Sequence, residues 1–329
     1  MLKLFERNTV VQVAIILLVT ALLWVKAFAN PQPMPAPEGF APLYSLLWGL
    51  GLPATVTVVI ALVLVLVGGL FFNIKLSDAG LVKQNSLFPT LLFIIFMSAG
   101  TPTLSPTLLA VLAAIPFVNR FFLRSSHMDV APDKVFGGAA LIGIASMMYL
   151  PALTLIVAYI LIAVNHRLYG WRNWMMFLLG LLAPYLLLWS ILLFTGGLSE
   201  SFAEMGMQLS TLSLNVGTFT TLEAIANGFL LAVLAVSLLV VALHIGENNV
   251  FWQKNATTVM LLAVAALATL PFGQVFPTNL QLFALPFTFC LDYRLFHTRR
   301  RRTSGRRKDW RSYSYDLLFI LVIISALAC

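Results

Sequence analysis

Long apolar runs separated by short polar breaks make up almost the whole chain. They fall at about residues 10–28, 54–72, 87–99, 106–122, 135–149, 151–164, 175–196, 224–245, 256–271, 278–292 and 316–328. No stretch carries the polar surface that a water-soluble domain must present, so the pattern predicts an all-α polytopic transmembrane helix bundle forming one integral membrane domain over 1–329. Several of the eleven segments are shorter than the roughly 20 residues that cross a hydrocarbon core without distortion. Those near Pro89, Pro106 and Pro277 are therefore expected to be tilted, kinked or partly re-entrant.

The run from Val135 to Val164 reads either as one long tilted helix or as two half-length passes broken at Tyr149-Leu150-Pro151. Charge decides between them. Cytoplasmic loops are enriched in Lys and Arg, and Arg120, Arg124 and Lys134 precede this run while Arg167 and Arg172 follow it, so the number of crossings must be even. With two passes there, nineteen of the twenty basic residues fall on one side, and the opposite loops around 30–53, 99–105, 197–223 and 272–277 contain no Lys or Arg. This places the amino terminus in the cytoplasm and the carboxyl terminus outside, in the periplasm of a bacterial inner membrane. The start of the chain imitates a secretory signal ending at Ala27-Phe28-Ala29, but Lys26 interrupts the approach to such a cleavage site, so 10–28 reads as a retained first span.

Composition agrees. Of 329 residues, 60% are hydrophobic and 10% charged, against roughly 25% charged in an average soluble domain. Cys290 and Cys329 lie far apart in apolar segments, which implies neither a disulfide framework nor a Cys-based metal site. The net charge of +8 is concentrated, since Arg299, Arg300, Arg301, Arg302, Arg306, Arg307, Lys308 and Arg311 supply eight of the twenty basic residues. Such a loop holds anionic lipid headgroups, at about 1 kcal/mol per basic residue near the surface. It carries no recognisable nucleic-acid module, and nucleic acid is not an expected partner. His127, His166, His244 and His297 have no second His at metal spacing, and no metal site or nucleotide loop is predicted. Gly49, Gly51, Gly137 and Gly138 read as helix-packing glycines. No cofactor is indicated.

Candidate chemistry gathers in the outer loops. The first, from Asn30 to Glu38, is rich in proline and leads into the apolar stretch Ala41–Leu52, too short to span. That stretch is expected to lie along the interface with Tyr44 and Trp48 as aromatic anchors. Lys26 is the one basic residue on this side. Beside Glu38 it reads either as a phosphate-binding lysine next to a catalytic carboxylate, or as a snorkelling lysine near a solvated acid. In the second loop, Ser201-Phe202-Ala203-Glu204 has capping-box spacing, and Phe202, Met205, Leu209 and Leu212 follow on one helical face. The segment reads as an amphipathic helix on the membrane, a lid or a connector, with Glu200 and Glu204 as acids available for substrate.

Asn85-Ser86-Leu87-Phe88-Pro89, Met148-Tyr149-Leu150-Pro151, and Trp171-Arg172-Asn173-Trp174 leading to Gly180 and Pro184-Tyr185 resemble an uncharacterised Bacteroidota family of multipass inner-membrane proteins. That resemblance covers about the first two thirds of the chain and implies an envelope setting without a reaction. The layout is also similar to integral-membrane glycosyltransferases of the GT-C type, which use polyprenyl-phosphate sugars. This likeness is architectural; the first outer loop has a single acid, Glu38, and no Asp pair. It implies Glu38 as base, Lys26 as phosphate partner, Tyr44, Glu200 and Glu204 near the substrate, and a polyprenyl phosphate as partner. Two other readings stay open: a transporter with a midplane site near Pro151 or Pro184, and a non-catalytic membrane subunit of an envelope assembly.

Overall fold

A computed structural model describes residues 9–37, 39–83, 86–99, 103–123, 131–210, 221–269, 278–300 and 320–324. The helices are α1 (Thr9–Ala29), α2 (Pro42–Trp48), α3 (Ala54–Asp78), α4 (Phe88–Met97), α5 (Pro106–Phe121), α6 (Pro132–Met148), α7 (Leu155–Asn165), α8 (Trp171–Thr195), α9 (Leu198–Ser210), α10 (Thr221–His244), α11 (Val250–Ala268) and α12 (Ala284–Arg300). Among the described residues there is no strand. Proline opens α2, α4, α5 and α6 within the first two positions, where its missing N–H is one of the groups left unpaired anyway. At α5 the Ser105 side chain also accepts from the Leu108 N–H, completing a capped start.

Five helices, α1, α3, α8, α10 and α11, are long and apolar enough to cross a membrane by length and composition, whereas α4, α5 and the stretch Leu150–Asn165 are shorter apolar pieces. α8 buries only 17% of its most apolar window, and Leu178, Leu182, Leu186 and Ile191 stand exposed on it. In water that face would be a large liability; lipid is its natural solvent. The fold is the all-α bundle the sequence predicts, with the apolar helices of a membrane protein.

Contacts between side chains fix the direction of each helix. Gln12 accepts from the Leu87 N–H at the start of α4, and Trp24 reaches Ser98 at its end, so α1 and α4 run parallel. Asn73 of α3 meets Ser86 and Phe72 meets Phe93, so α3 runs against them. α4 is ten residues long and buried throughout, and it pairs antiparallel with α12, with Phe96 and Phe287 rings 4.3 Å apart. These two apolar helices form the centre of the bundle.

The chain reverses between α6 and α7. Phe121 of α5 lies against Gly138 of α6 and also against Tyr159 of α7, at 5.9 Å between ring centroids. In one continuous helix those two positions would stand about 32 Å apart, out of reach of a single ring. The turn is a 3-10 segment, Leu150–Thr154, beginning where Pro151 cannot continue an α-helix. α8 then runs parallel to α6, because Gly180 packs on Phe136 and Ala139 while Pro184 packs on Gly143.

One end of the bundle is stitched by amide side chains. The Asn255 amide accepts from the Leu123 N–H at 2.9 Å and donates to the carbonyls of Leu123 and Ala79 at 2.9 and 3.1 Å. Asn165 donates to the Lys254 carbonyl. These bonds draw the loops after α3, α5 and α7 onto the start of α11, and Lys75, Arg120, Arg167 and Lys254 lie in or beside them. Among the described residues these four basic side chains gather at one physical end, with Lys26 at the other. Arg299 and Arg300 close α12, while Arg301, Arg302, Arg306, Arg307, Lys308 and Arg311 lie outside the described residues, as does most of the last apolar segment.

At the same end His166 is buried, with Nε2 2.9 Å from the Thr258 hydroxyl. Thr258 itself donates to the Lys254 carbonyl, which leaves its oxygen to accept from a neutral imidazole. Burial, and then the Lys254 charge, push the His166 pKa down to about 4. The unfolded chain therefore takes up this proton first as pH falls. The stability contributed by neutral His166 is full above about pH 6.5 and is lost as pH drops toward 4, by about 3 kcal/mol in total. Comparing thermal midpoints in detergent from pH 7.5 to 4.5, His166→Gln should show a shallower acid decline than the parent. A second expectation concerns the α6–α8 contact, where a Cβ on Gly180 would stand 2.3 Å from the Phe136 carbonyl oxygen. Gly180→Val should lower the thermal midpoint, through an overpacking cost of about 1–3 kcal/mol; an unchanged midpoint would refute the close approach.

Candidate functional site

At the end opposite the amide stitches, several helix ends converge on Gln281, in the 3-10 turn Thr278–Phe283 that leads into α12. Its Oε1 accepts from Ser105 Oγ at 3.2 Å and Thr107 Oγ1 at 2.9 Å, and its Nε2 lies 3.4 Å from the Met97 carbonyl. One fully buried amide thus ties the exit of α4 to the entry of α5 and α12. Above it, the Trp24 indole donates to Ser98 at 2.9 Å, and the Tyr44 hydroxyl donates to the Pro35 carbonyl at 2.7 Å with the Leu104 carbonyl 3.3 Å away. Trp24 and Gln12 are twelve residues apart on α1, so this polar layer lies about 18 Å along the bundle from the level of Gln12.

Near Gln281 is a small crevice of about 20 Å³ between α5, the 3-10 turn Leu150–Thr154, α7, α11 and α12. Ala110, Ala114, Ala152, Ala265 and Ala266 form its walls with Leu262, Leu282 and Leu285. Its two threonines commit their hydroxyl protons to their own backbone, Thr154 to the Pro151 carbonyl and Thr269 to the Ala266 carbonyl, and keep only acceptor capacity. That volume is room for about one water, so the crevice is a small gap in apolar packing.

A second cluster caps the same end. Phe40, Met147, Leu150 and Tyr185 pack together with Trp189 and Met205 against them. The Phe40 and Tyr185 rings stack at 6.4 Å, and the Tyr185 hydroxyl lies 2.6 Å from Ser146 Oγ. The first loop is bound to α9 through the Phe40 N–H, which donates to Gln208 at 2.8 Å. Gly39 makes this approach feasible, because its φ is +71° and a Cβ there would lie 2.6 Å from the Gln208 side chain.

The predicted site residues separate in this setting. Lys26 is exposed in the last turn of α1, where a cation also complements the helix dipole. Tyr44 is not an interfacial anchor: it is fully buried, and burial pushes its phenol well above the usual range. Its hydroxyl finds backbone carbonyls inside the fold, whereas Trp48 is 48% exposed. Glu200 and Glu204 are both exposed on α9. Glu38 lies outside the described residues.

The capping box is also corrected, since α9 begins at Leu198 and Ser201 stands inside the helix. The inward stripe of α9 is Ser201, Met205 and Gln208, while Phe202 and Leu209 are 47% and 37% exposed. Gly51 is a turn residue with φ +58° facing open space, not a packing glycine. At Pro184 the ring fills the groove left by Gly143, where a Cβ would lie 2.8 Å away. Gln281, Ser105 and Thr107 escaped the sequence reading; the Ser105-Pro106-Thr107 cap pattern beside the uncharged Thr278-Asn279-Leu280-Gln281 was the available signal.

Replacing Gln281 by Leu should leave the buried hydroxyls of Ser105 and Thr107 without their shared acceptor, lowering the thermal midpoint by the equivalent of about 1–3 kcal/mol; Gln281→Glu should not restore it. Comparison with protein-family models, curated proteins and solved structures finds no match to this chain.

Proposed function

We propose that this protein is a bacterial inner-membrane enzyme that takes a lipid-linked sugar, carried on a polyprenyl phosphate, and transfers the sugar at the outer face. The positive-inside rule assigns the stitched, basic end to the cytoplasm and the Gln281 end to the periplasmic leaflet. The single observation that carries the reading is Lys26, exposed in the last turn of α1 at the end of the bundle away from the other described basic residues and next to the loop that leads to Glu38, a lone cation available to a lipid-borne phosphate. Lys26 then supplies the cation for the phosphate, and Glu38 takes the proton of an acceptor hydroxyl as that oxygen attacks the anomeric carbon and the phosphate oxygen leaves. The basic segment Arg299–Arg311 holds anionic headgroups on the opposite leaflet.

Lys26→Ala should weaken capture of a polyprenyl phosphate, followed by native mass spectrometry, by tenfold or more. For the reaction, Glu38→Gln and Lys26→Ala should each fail to complement a deletion strain. Full complementation by both would sink the transferase reading.

A further inference from the structure

α12 carries a single acid, Asp292, and the fold gives it no counter-charge. The residue is 5% exposed, and its Oδ1 is inaccessible and makes no hydrogen bond among the described residues. Seven positions after Leu285, it stands on the same face of the helix, the side on which Leu285 meets α5 and α11 in the bundle interior. Aromatic contacts close the helix around it. Phe287 packs on Phe96 of α4, while Phe289 and Tyr293 pack on Trp252 of α11.

The titratable groups on the surrounding elements supply no partner. α4 and the 3-10 turn Thr278–Phe283 have none. α5 has Arg120, exposed, with its guanidinium over Gly137 of α6. α10 has Glu223 at its far end and His244, whose Nδ1 lies 2.8 Å from the Val240 carbonyl of its own helix. α11 has Lys254. On α12 itself, Tyr293 and Arg294 follow Asp292 by one and two positions, which point to other sides of a helix, and the side chains of His297, Arg299 and Arg300 lie outside those described. No described cation forms an ion pair with Asp292. A carboxylate buried without cation or donor is far costlier than a neutral carboxyl in the same place. The packed form therefore keeps its proton.

We propose that Asp292 is a proton-operated latch on α12: as a neutral carboxyl it lets the inner half of the helix seal against α4, α5 and α11, and on giving its proton to water it releases that half. The released half leads into Arg299, Arg300 and the basic segment beyond, so pH at the basic end sets how firmly that segment is held. The latch is independent of the transferase reading. Its sign follows from linkage. A solvated carboxyl ionises above about pH 4, so one proton leaves per opening, and the open fraction rises with pH by up to about tenfold per unit.

Cys290, buried two residues before Asp292, reports the opening. In the full chain with Cys329→Ser, in nanodiscs, maleimide labelling of Cys290 is compared between the parent and Asp292→Asn, the uncharged isostere of the protonated acid, from about pH 5.5 to 8.5. The ratio of the two rates at each pH removes the thiol's own ionisation. It should favour the parent increasingly as pH rises, by up to about tenfold per unit. Infrared difference spectra at neutral pH should show a protonated-carboxyl band in the parent that the variant lacks. A flat rate ratio, or no such band, overturns the latch. The thermal midpoint of Asp292→Asn at neutral pH should equal or exceed the parent's, and Asp292→Leu should repeat the flat pH response. A lower midpoint or loss of the fold in both variants means that an ionised carboxylate was serving a partner, which also overturns it.

Discussion

Within hydrocarbon, a backbone N–H or C=O that leaves a helix has no water to turn to, and must find a partner inside the protein or not leave at all. This chain leaves its helices often. α4 has ten residues and α7 eleven, so their ends fall where a full-length span would still be bonded to itself. The structure meets the requirement with uncharged amide side chains. Gln12, Asn73, Asn165 and Asn255 serve the basic end, and Gln281 serves the other. An amide presents both donor and acceptor without a charge to desolvate, so it can replace a missing backbone partner at a depth where a carboxylate or ammonium would be costly. The short central helices, and the crevice they leave beside α11, depend on these few side chains.

Small residues complete what the amides begin. Gly138, Gly143 and Gly180 let Phe121, Pro184 and the α6 backbone approach to within about one atom's width, as expected where dispersion and close packing, not water exclusion, hold helices together. The α5–α6–α8 group is tight as a result.

Much of this architecture was legible in the sequence because lipid imposes a coarse rule on composition and charge. The break at Tyr149–Pro151 is an example: neither hydropathy nor length resolved it, but the placement of Arg120 and Lys134 before it and Arg167 after it required an even count, and the chain does reverse there. Local chemistry read less well. Ser201-x-x-Glu204 has the spacing of a helix start, yet Gly196 and Gly197 end α8 and release the chain three residues earlier, so the motif falls inside α9. Tyr44 has the composition of an interfacial anchor, but the Pro35 carbonyl draws it inward. Asn255 gave no signal at all, and Gln281 only the cap pattern at Ser105-Pro106-Thr107, because a lone amide beside an apolar run looks the same whether it stitches three loops or faces lipid. What it bonds to lies more than a hundred residues away.

The reversal at Leu150–Thr154 bears on how the molecule is made. A helix of eleven residues is about 16 Å long, half the thickness of a hydrocarbon core, and on its own has too little apolar length to be retained by a bilayer. α7 is held instead by Phe121 on α5, by Trp174 and Phe177 on α8, and by Thr258 on α11. Two of those three helices are synthesised after it. α7 therefore has most of the contacts that hold it only once α8 and α11, later in the chain, have packed against it.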